Sequence, residues 1–339
     1  MVTIGDVARA AGVSRSTASY ALSGKRSISA DVRRKVEDAV RELGYTPNAG
    51  ARALATSRTN VIALLGQFFD DEFAPAMLQY ILGITNRARA LGYDTLFVSE
   101  DDGASALRRI SDSRMVDGFV LLNVSERDER LEPLRTAAQP GALVGLPGET
   151  DGFDVFDLDF AAAGRLMVER LHDLGHRELA LVSQPEHVLE RGGAYVSRLA
   201  DAARDRADEL GVRLHHLFGA SGQPEIGRDL HALLDAHPDV TGLLLNNEAA
   251  AAALPTVLQS RGLASPDDLS VIGRYSDDFA RTFSLPFSAI DSAADELGRR
   301  AVEHLVSRIT GTADADTYVV DLIAPVIDDR GSIAAPSRK

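Results

Sequence analysis

The chain has 339 residues, of which 45% are hydrophobic and 25% charged, as is ordinary for a globular protein with room for two or three domains. No apolar run reaches the roughly 20 residues of a membrane-spanning helix, and no signal peptide is evident, so we expect a cytoplasmic protein. The absence of cysteine excludes disulfides and thiolate metal sites.

The charge is divided unevenly along the chain. Residues 1–60 hold 10 basic and 5 acidic side chains, whereas the remaining 279 residues hold 26 basic and 45 acidic ones. A basic head on an acidic body is expected when only the head meets phosphates, although a charged segment is also commonly just a solvated face. The net charge of −14 therefore does not exclude a nucleic-acid partner.

Three short helices are predicted within residues 1–45, which we take as one all-α domain. Thr3 followed by Asp6 resembles an N-cap with an acid at the third helical position. Gly12 ends this helix, because glycine enters a left-handed turn without a Cβ penalty. A second helix is predicted from Arg15 to about Leu22. The other boundary residues are Ser14 and Ser29, which cap the second and third helices, and Gly44, which ends the third.

A helix, a tight turn and a short second helix predict a helix-turn-helix, whose second helix enters the major groove of DNA. Arg15 is suited to a bidentate contact with guanine, and Ser16 and Tyr20 are suited to bases or phosphates. Thr17 and Ser19 are short hydroxyls that can hold phosphates. A three-helix bundle used only for protein contacts is the alternative. The predicted DNA contacts of the head are Thr3, Ser14, Arg15, Ser16, Thr17, Ser19 and Tyr20.

Residues 3–65 closely resemble, without a gap, the head of the lactose-repressor (LacI/GalR) family; the run is TIGDVARAAGVSRSTASYALSGKRSISADVRRKVEDAVRELGYTPNAGARALATSRTNVIALL. The resemblance implies that residues 46–58 form a hinge helix, which orders only on operator DNA. In a dimer, paired hinge helices enter the minor groove, where Asn48 and Ala51 are expected to contact DNA and Leu54 to wedge between base pairs. An isolated helix of about ten residues is marginal in water, so DNA must supply its stability.

One departure from the family lies in this hinge. Gly50 stands where the family usually has a larger residue. A glycine costs roughly 1 kcal/mol of helix stability, so this hinge is expected to order less readily than that of a typical relative.

From residue 61 onward, short apolar runs alternate with amphipathic segments, which predicts parallel sheets with helices on both faces. The pattern occurs twice and predicts two doubly wound lobes, with ligand at the carboxyl ends of the strands. The body also resembles the family's sensor core, a periplasmic-binding-protein-like fold in which the chain crosses three times between lobes. The expected boundaries are 60–158 with 290–317 for the first lobe, 159–289 with 318–328 for the second, and 329–339 for a flexible tail.

The resemblance also implies effector contacts. Arg191 aligns with an arginine that binds sugar hydroxyls, and Asn246 aligns with the asparagine of an Asn-Asp pair whose second member is here Asn247. Guanidinium and amide groups both offer paired hydrogen bonds in a fixed plane. The expected effector contacts are Phe68, Phe73, Asp159, Arg191, Asn246 and Tyr275.

Several positions depart from the family's effector pattern. Arg274-Tyr275-Ser276 replaces the usual Phe-Asp-Asp, and Asp159-Phe160 replaces the usual Asp-Asn. The aromatic residues Phe68, Phe73, Phe160 and Tyr275 either stack on a sugar ring or lie in the core, and the sequence leaves both readings open. Sugar is the favoured effector class, and a non-sugar effector is the alternative.

No nucleophile elbow, P-loop or dinucleotide-binding motif is present, so we expect no enzyme and no cofactor. His172 and His176 share the i, i+4 spacing of a zinc helix but lack its glutamate, so we expect no metal. The sequence predicts a nucleoid-associated repressor that binds a palindromic operator as a homodimer, or as a tetramer, under control of a mono- or oligosaccharide. The alternatives are a constitutive architectural DNA-binding protein and a sugar-binding or sugar-modifying protein with an incidental head.

Overall fold

The computed structural model describes residues 2–23, 28–45, 58–67, 74–314 and 316–337. The chain divides into two compact units, Met1–Thr59 and Asn60–Lys339. Residues 46–57 of the predicted hinge, which include Asn48, Gly50, Ala51 and Leu54, lie outside the described residues, as do Phe68 and Phe73. Within the described part of the chain, no helix is long and apolar enough to cross a membrane.

The N-terminal unit contains the helices α1 (Ile4–Ala10), α2 (Arg15–Ser23) and α3 (Ala30–Leu43). The capping box predicted for α1 is present: the Thr3 hydroxyl accepts from the Asp6 amide at 3.3 Å, and the Asp6 carboxylate accepts from the Thr3 amide at 2.9 Å. Gly12 has φ +67°, in the left-handed region. A small core packs the three helices together; its buried residues are Val7, Ala8, Ala18, Val36 and Ala39.

The second unit contains two six-stranded sheets, one in each lobe. The first sheet consists of β1 (Val61–Gly66), β2 (Asp94–Val98), β3 (Gly118–Leu122), β4 (Gly141–Val144), β5 (Asp154–Leu158) and β11 (Val320–Ile323). Its strand order is β11-β5-β4-β3-β1-β2, and every pairing is parallel. The helices that follow its strands are α4 (Ala74–Ala90), α5 (Gly103–Ser113), α6 (Leu131–Thr136) and α13 (Ala294–Thr310).

The second sheet repeats this architecture. Its strands are β6 (Glu178–Ser183), β7 (Arg213–Phe218), β8 (Gly242–Asn246), β9 (Ser270–Arg274), β10 (Ser288–Ile290) and β12 (Ile327–Asp328), in the order β12-β10-β9-β8-β6-β7. Only β12 is antiparallel to its neighbour. Its helices are α7 (Phe160–Asp173), α8 (Glu186–Glu190), α9 (Ala194–Leu210), α10 (Glu225–Ala236), α11 (Glu248–Arg261) and α12 (Asp277–Thr282). The predicted fold class, a helical head with two doubly wound lobes, is confirmed.

Each sheet is buried on both faces, because alternate side chains of a strand enter different cores. In β1, Ile62 and Leu64 pack in one core and Ala63 and Leu65 in the other. The chain crosses between the lobes after β5, after β10 and after β11. The carboxyl ends of the strands of both lobes therefore lie near the crossings.

Two expected boundaries differ from the structure. Strand β11 pairs with β5 in the first lobe, whereas residues 318–328 were expected in the second. Residues 329–337 pack on the second lobe instead of forming a flexible tail: Ile333 is only 9% exposed, and the Ser332 hydroxyl donates to the Val271 carbonyl at 2.6 Å. Both segments are short, and their own sequence does not specify which distant strand they join.

Candidate functional site

The N-terminal part of α2 carries the side chains that were predicted to contact DNA. Arg15 and Ser16 are exposed, Thr17, Ser19 and Tyr20 are half-buried, and the intervening Ala18 is in the core; these six positions form the first turns of the helix. Ser14 caps the helix, since its hydroxyl accepts from the Thr17 amide at 3.0 Å and shares a 2.8 Å hydrogen bond with the Thr17 hydroxyl. The hydroxyl of Thr3 is likewise bonded to Asp6, at 2.7 Å.

The basic side chains of the head differ in whether an acid neutralises them. Arg9 pairs with Asp6 at 3.1 Å, and Arg41 pairs with Asp38 at 2.8 Å. Arg15 has no hydrogen bond or ion pair with any residue that the structure describes. Its guanidinium is exposed at the beginning of a helix that itself has no acidic residue in its first turn. This exposed positive charge can donate to a phosphate or to a base edge.

The second candidate site lies between the lobes, where a buried group of polar side chains occupies the carboxyl ends of β6, β8 and β9. We call these residues the cleft cluster; its members are Gln184, Asn246, Glu248, Arg274 and Ser292. Arg274 and Glu248 form an ion pair at 2.7 Å with both side chains 4% exposed. A buried ion pair of this kind survives desolvation only when its remaining groups are hydrogen-bonded.

Arg274 holds the cleft cluster together. Its Nε donates to Asn246 Oδ1 at 2.8 Å, its Nη2 to Glu248 Oε1 at 2.7 Å and its Nη1 to Ser292 Oγ at 3.3 Å. Gln184 Nε2 donates to the other Glu248 oxygen at 2.6 Å. The Phe160 ring lies 5.6 Å from the guanidinium carbon. The guanidinium is therefore fixed in its plane by three acceptors and packed against an aromatic ring.

The first lobe contributes a buried carboxylate near this cluster. Asp157, on β5, accepts hydrogen bonds from the amides of Leu146 at 2.8 Å and Leu158 at 2.9 Å. Burial nevertheless raises the pKa of Asp157 to about 6, because these amides offset only part of the desolvation.

Arg198, on α9 of the second lobe, reaches across to the first lobe. Its guanidinium donates to the carbonyls of Leu146 and, at 3.1 Å, Pro147, and to the Glu126 carboxylate at 2.7 Å. In return, the Glu126 amide donates to the Gly192 carbonyl at 2.9 Å. We call these four hydrogen bonds the interlobe bridge. They are sensitive to the separation of the lobes because each joins one lobe to the other.

The structure distributes the expected effector residues over different places. Asn246 lies in the cleft cluster. Asp159 caps α7, where its Oδ1 accepts from the Ala162 amide at 2.8 Å. Arg191 ends α8, with its Nε donating to the His187 carbonyl at 3.3 Å, and precedes the Gly192 of the interlobe bridge.

Tyr275 is a correction to the expected effector set. Its side chain is 1% exposed in the core of the second lobe, and its hydroxyl donates to the Phe287 carbonyl at 2.9 Å. Its ring lies 5.8 Å from that of Phe279. Successive residues at the end of a strand point to opposite faces, so Arg274 enters the cleft cluster and Tyr275 enters the core.

Sequence reasoning missed most of the interlobe side chains. No role was assigned to Gln184, Glu248, Asp157 or Arg198. Arg274 was noted only as a departure from the family pattern. The usable signal was a charged residue ending the buried strand SVIGR, since an arginine there requires a buried partner.

The paired histidines of α7 and the following loop are occupied with structural contacts. His176 is 1% exposed; its Nδ1 shares a 2.8 Å hydrogen bond with the Thr241 hydroxyl, and its Nε2 one of 2.9 Å with the Ala334 carbonyl. Burial lowers the pKa of His176. In the described segments, no group of three or more acidic or histidine side chains is arranged to hold a metal ion.

Both parts of the chain are similar to known protein families. The model for bacterial regulatory proteins of the lacI family matches residues 3–48, and the model for a periplasmic binding protein-like domain matches residues 168–333. The HTH-type transcriptional regulator CelR of Thermobifida fusca is 29% identical, over 91% of this chain and 92% of its own. The ribose operon repressor of Escherichia coli (strain K12) is 27% identical, over 98% of this chain and 100% of its own.

Solved structures agree over the full length. A transcriptional regulator CelR–cellobiose complex is 25% identical with a TM-score of 0.65, covering 98% of this chain and 100% of that one. The lac repressor dimer bound to operator and the anti-inducer ONPF has a TM-score of 0.81 at 22% identity, covering 98% and 99%, and so shares the fold.

Proposed function

We propose that the chain is a DNA-binding transcriptional regulator of the lacI family and not an enzyme, and more closely that it is a repressor. It binds a near-palindromic operator as a homodimer, and a carbohydrate bound between its lobes controls it. The observation that carries the proposal is the head: an exposed, unneutralised Arg15 at the start of a helix that follows a tight glycine turn.

The proposed DNA contacts follow from this geometry. Arg15 reads a base edge in the major groove, and Ser16 beside it donates or accepts. Tyr20 and Ser19 lie one turn further on and reach a base or the backbone. Thr3, Ser14 and Thr17 cap or support the starts of the two helices, and a water bound to a backbone phosphate can bridge to their hydroxyls. The resemblance of the head to the lacI family further implies that Asn48, Ala51 and Leu54, which lie outside the described residues, extend the interface into the minor groove.

The effector is proposed to bind at the cleft cluster. A polar cluster buried between two lobes, with an aromatic ring beside it, suits a hydroxyl-rich ligand with an apolar ring face. The relatives include a ribose operon repressor and a regulator solved with cellobiose, which supports a mono- or oligosaccharide. Asn246 and Phe160 are the ligand contacts that the buried geometry favours, and the half-buried Arg191 and Asp159 are the further proposed contacts.

The interlobe bridge offers a route from ligand to DNA. A ligand shifts an equilibrium only by its differential affinity for the two states, with couplings of roughly 1–3 kcal/mol. A ligand that changes the separation of the lobes changes the Arg198 and Glu126 contacts, and thereby how the two first lobes of a dimer present residues 46–58 to the operator. Whether ligand releases or promotes DNA binding depends on which lobe separation suits the operator complex.

The proposal is tested by selecting genomic fragments with the purified protein at moderate salt and sequencing the retained DNA. A shared near-palindrome is expected. Arg15→Ala should then cost about 1–3 kcal/mol of operator binding and relax the preference at one base pair in each half-site. Arg41→Ala is the matched control, because Arg41 is already paired with Asp38 on α3. Retention of fragments with no common sequence would contradict the proposal and favour the architectural alternative.

A further inference from the structure

The cleft cluster contains hydrogen-bond donors that the protein does not use. A guanidinium has five N–H groups, and Arg274 commits three of them, to Asn246, Glu248 and Ser292. Two N–H groups, on the terminal nitrogens, have no acceptor among the described residues. We call this pair the outer fork of Arg274. Two donors on neighbouring nitrogens of one guanidinium suit the two oxygens of a carboxylate.

Asn246 supplies a further unused donor. Its side chain is 0% exposed, its Oδ1 is held by Arg274 Nε at 2.8 Å, and its Nδ2 has no acceptor in the described part of the chain. A buried donor left unpaired is unfavourable, so a ligand that accepts from it removes that penalty on binding. Because the amide is bonded to the Nε of this guanidinium, its unused donor belongs to the same buried cluster as the outer fork.

The acceptors of this region are, by contrast, already in use. The two carboxylate oxygens of Glu248 accept from Arg274 and Gln184, at 2.7 and 2.6 Å. Both oxygens of Asp157 accept from backbone amides. The Gln184 amide oxygen, which receives no hydrogen bond from a described residue, remains for a ligand hydroxyl. A neutral polyol needs acceptors for its many hydroxyl donors, and this cluster mainly offers donors.

Three helices begin around Arg274 and favour negative charge there. Phe160 is the first residue of α7 and Glu248 the first of α11, and both contact the guanidinium. Tyr195, near the beginning of α9, interacts with it electrostatically, and the cap of α9 at Gly193 makes no side-chain hydrogen bond. The positive ends of these helices offset the charge of Glu248 against an incoming anion.

Resting on the proposed function of this cleft, we propose that the effector is a sugar acid, whose carboxylate is bound by the outer fork of Arg274 and by Asn246 Nδ2 while Gln184 accepts from a hydroxyl. The Phe160 ring then covers one face of the guanidinium and excludes water from the ion pair. A neutral sugar of the same skeleton leaves these buried donors unpaired and binds more weakly.

The test is isothermal titration of the full-length protein with matched pairs of probes: D-glucuronate with D-glucose, D-galacturonate with D-galactose, and D-gluconate with D-glucitol. At least one acid should bind about tenfold or more tightly than its neutral partner, since one charge-assisted pair contributes about 1.4 kcal/mol or more. A neutral sugar that binds as tightly as its acid, or the absence of binding by every acid at millimolar concentration, overturns the inference.

Two variants test the assignment to Arg274. Glu248→Gln removes the carboxylate that competes for the guanidinium, so it should bind the acid several-fold more tightly. Arg274→Met combined with Glu248→Gln removes both buried charges together and should lose the preference for the acid. Arg261→Ala, which removes a surface pair with Asp235 on the same helix as Glu248, should leave the affinity unchanged. Thermal melting establishes that each variant is folded.

The readouts separate this inference from the proposed function. If a neutral sugar alters operator retention and the acids do not, the carbohydrate-controlled repressor stands and the sugar-acid inference falls. If Glu248→Gln weakens acid binding, the acid is not bound by Arg274 and the inference likewise falls. If no probe of either kind alters retention of the selected operator, both fail.

Discussion

Replacing Asp157 by asparagine should change how the stability of the protein depends on pH. The carboxylate is 7% exposed beneath the interlobe bridge, and burial raises its pKa from 3.8 to about 6. The folded state thus binds this proton more tightly than the unfolded chain does. The stabilisation from protonated Asp157 is fully present below the unfolded pKa, near 3.8, and is lost as the pH rises through about 6.

The size of the effect follows from the two pKa values. A pKa of about 6 in place of 3.8 corresponds to about 3 kcal/mol of unfolding free energy across the full titration. Between pH 5 and 7, ionisation of the folded carboxyl removes about 1 kcal/mol of this stabilisation, rather less than half of the total. Asparagine cannot ionise, so Asp157→Asn should lack this part of the pH dependence, although it loses one of the two amide contacts.

The assay is urea unfolding followed by far-ultraviolet circular dichroism, because the sequence has no tryptophan. The control is Asp151→Asn, which removes an exposed carboxylate from the turn before β5. His176, whose pKa burial lowers, contributes stability that is lost as the pH falls, but it is common to all three proteins and cancels in the difference. Parallel pH profiles for the wild type and Asp157→Asn would refute the reasoning.

Three further substitutions test the packing around the sites. Thr3→Ala removes the N-cap of α1 and should cost about 1 kcal/mol, seen as faster hydrogen exchange in residues 4–10 at unchanged exchange in the lobes. Gly164→Ala places a Cβ against the Leu199 carbonyl oxygen, where α7 and α9 pack backbone to backbone, and should lower stability by about 1–3 kcal/mol in a thermal melt. Ser332→Ala removes the hydroxyl that bonds the C-terminal segment to two strands, and it should cost about 1–3 kcal/mol of stability. The loss should be measurable as faster protease cleavage within residues 329–337.

The second and third substitutions each have a comparison variant. Gly222→Ala adds a Cβ with no atom within 4 Å, so it should melt at or slightly above the temperature of the wild type. Equal destabilisation by Gly164→Ala and Gly222→Ala would show that the contact with Leu199 does not decide the effect. Ser337→Ala breaks only an exposed bond to Asp267, and a loss as large as that of Ser332→Ala would contradict the assignment of the C-terminal segment to the lobe.

The head could be predicted almost completely because its signals are local. Thr3 and Asp6 are three residues apart, as are Ser29 and the Val32 amide that it caps, and Gly12 turns the chain by its own backbone freedom. Interactions between residues three or four positions apart can be recognised directly from the sequence. The alternation of apolar runs and amphipathic segments likewise predicted two doubly wound lobes, since parallel strands require crossover helices.

The candidate effector site could be predicted only in part. Asn246 was expected from a resemblance, and it lies in the cleft cluster, but its partner Arg274 is 28 positions away and was not assigned a role. Tyr275 was assigned to the effector, although the alternation of side chains along β9 sends it into the core. Neighbouring positions on a strand lie on opposite faces of the sheet, so a shift of one position moves a side chain to the other face. The sequence alone does not show which face borders the other lobe.

What the sequence by itself determined is therefore the helix-turn-helix, its exposed Arg15, and the class of the two-lobed body. What only the tertiary structure decided is the placement of Val320–Ile323 beside β5, the docking of residues 329–337 on the second lobe, and the meeting of Arg274, Glu248 and Gln184. The physical reason is the same in each case. Helix caps and amphipathic periods act between near neighbours, whereas edge-strand pairing and buried ion pairs join residues far apart, and many distant partners have equally suitable chemistry until the fold brings one of them into contact.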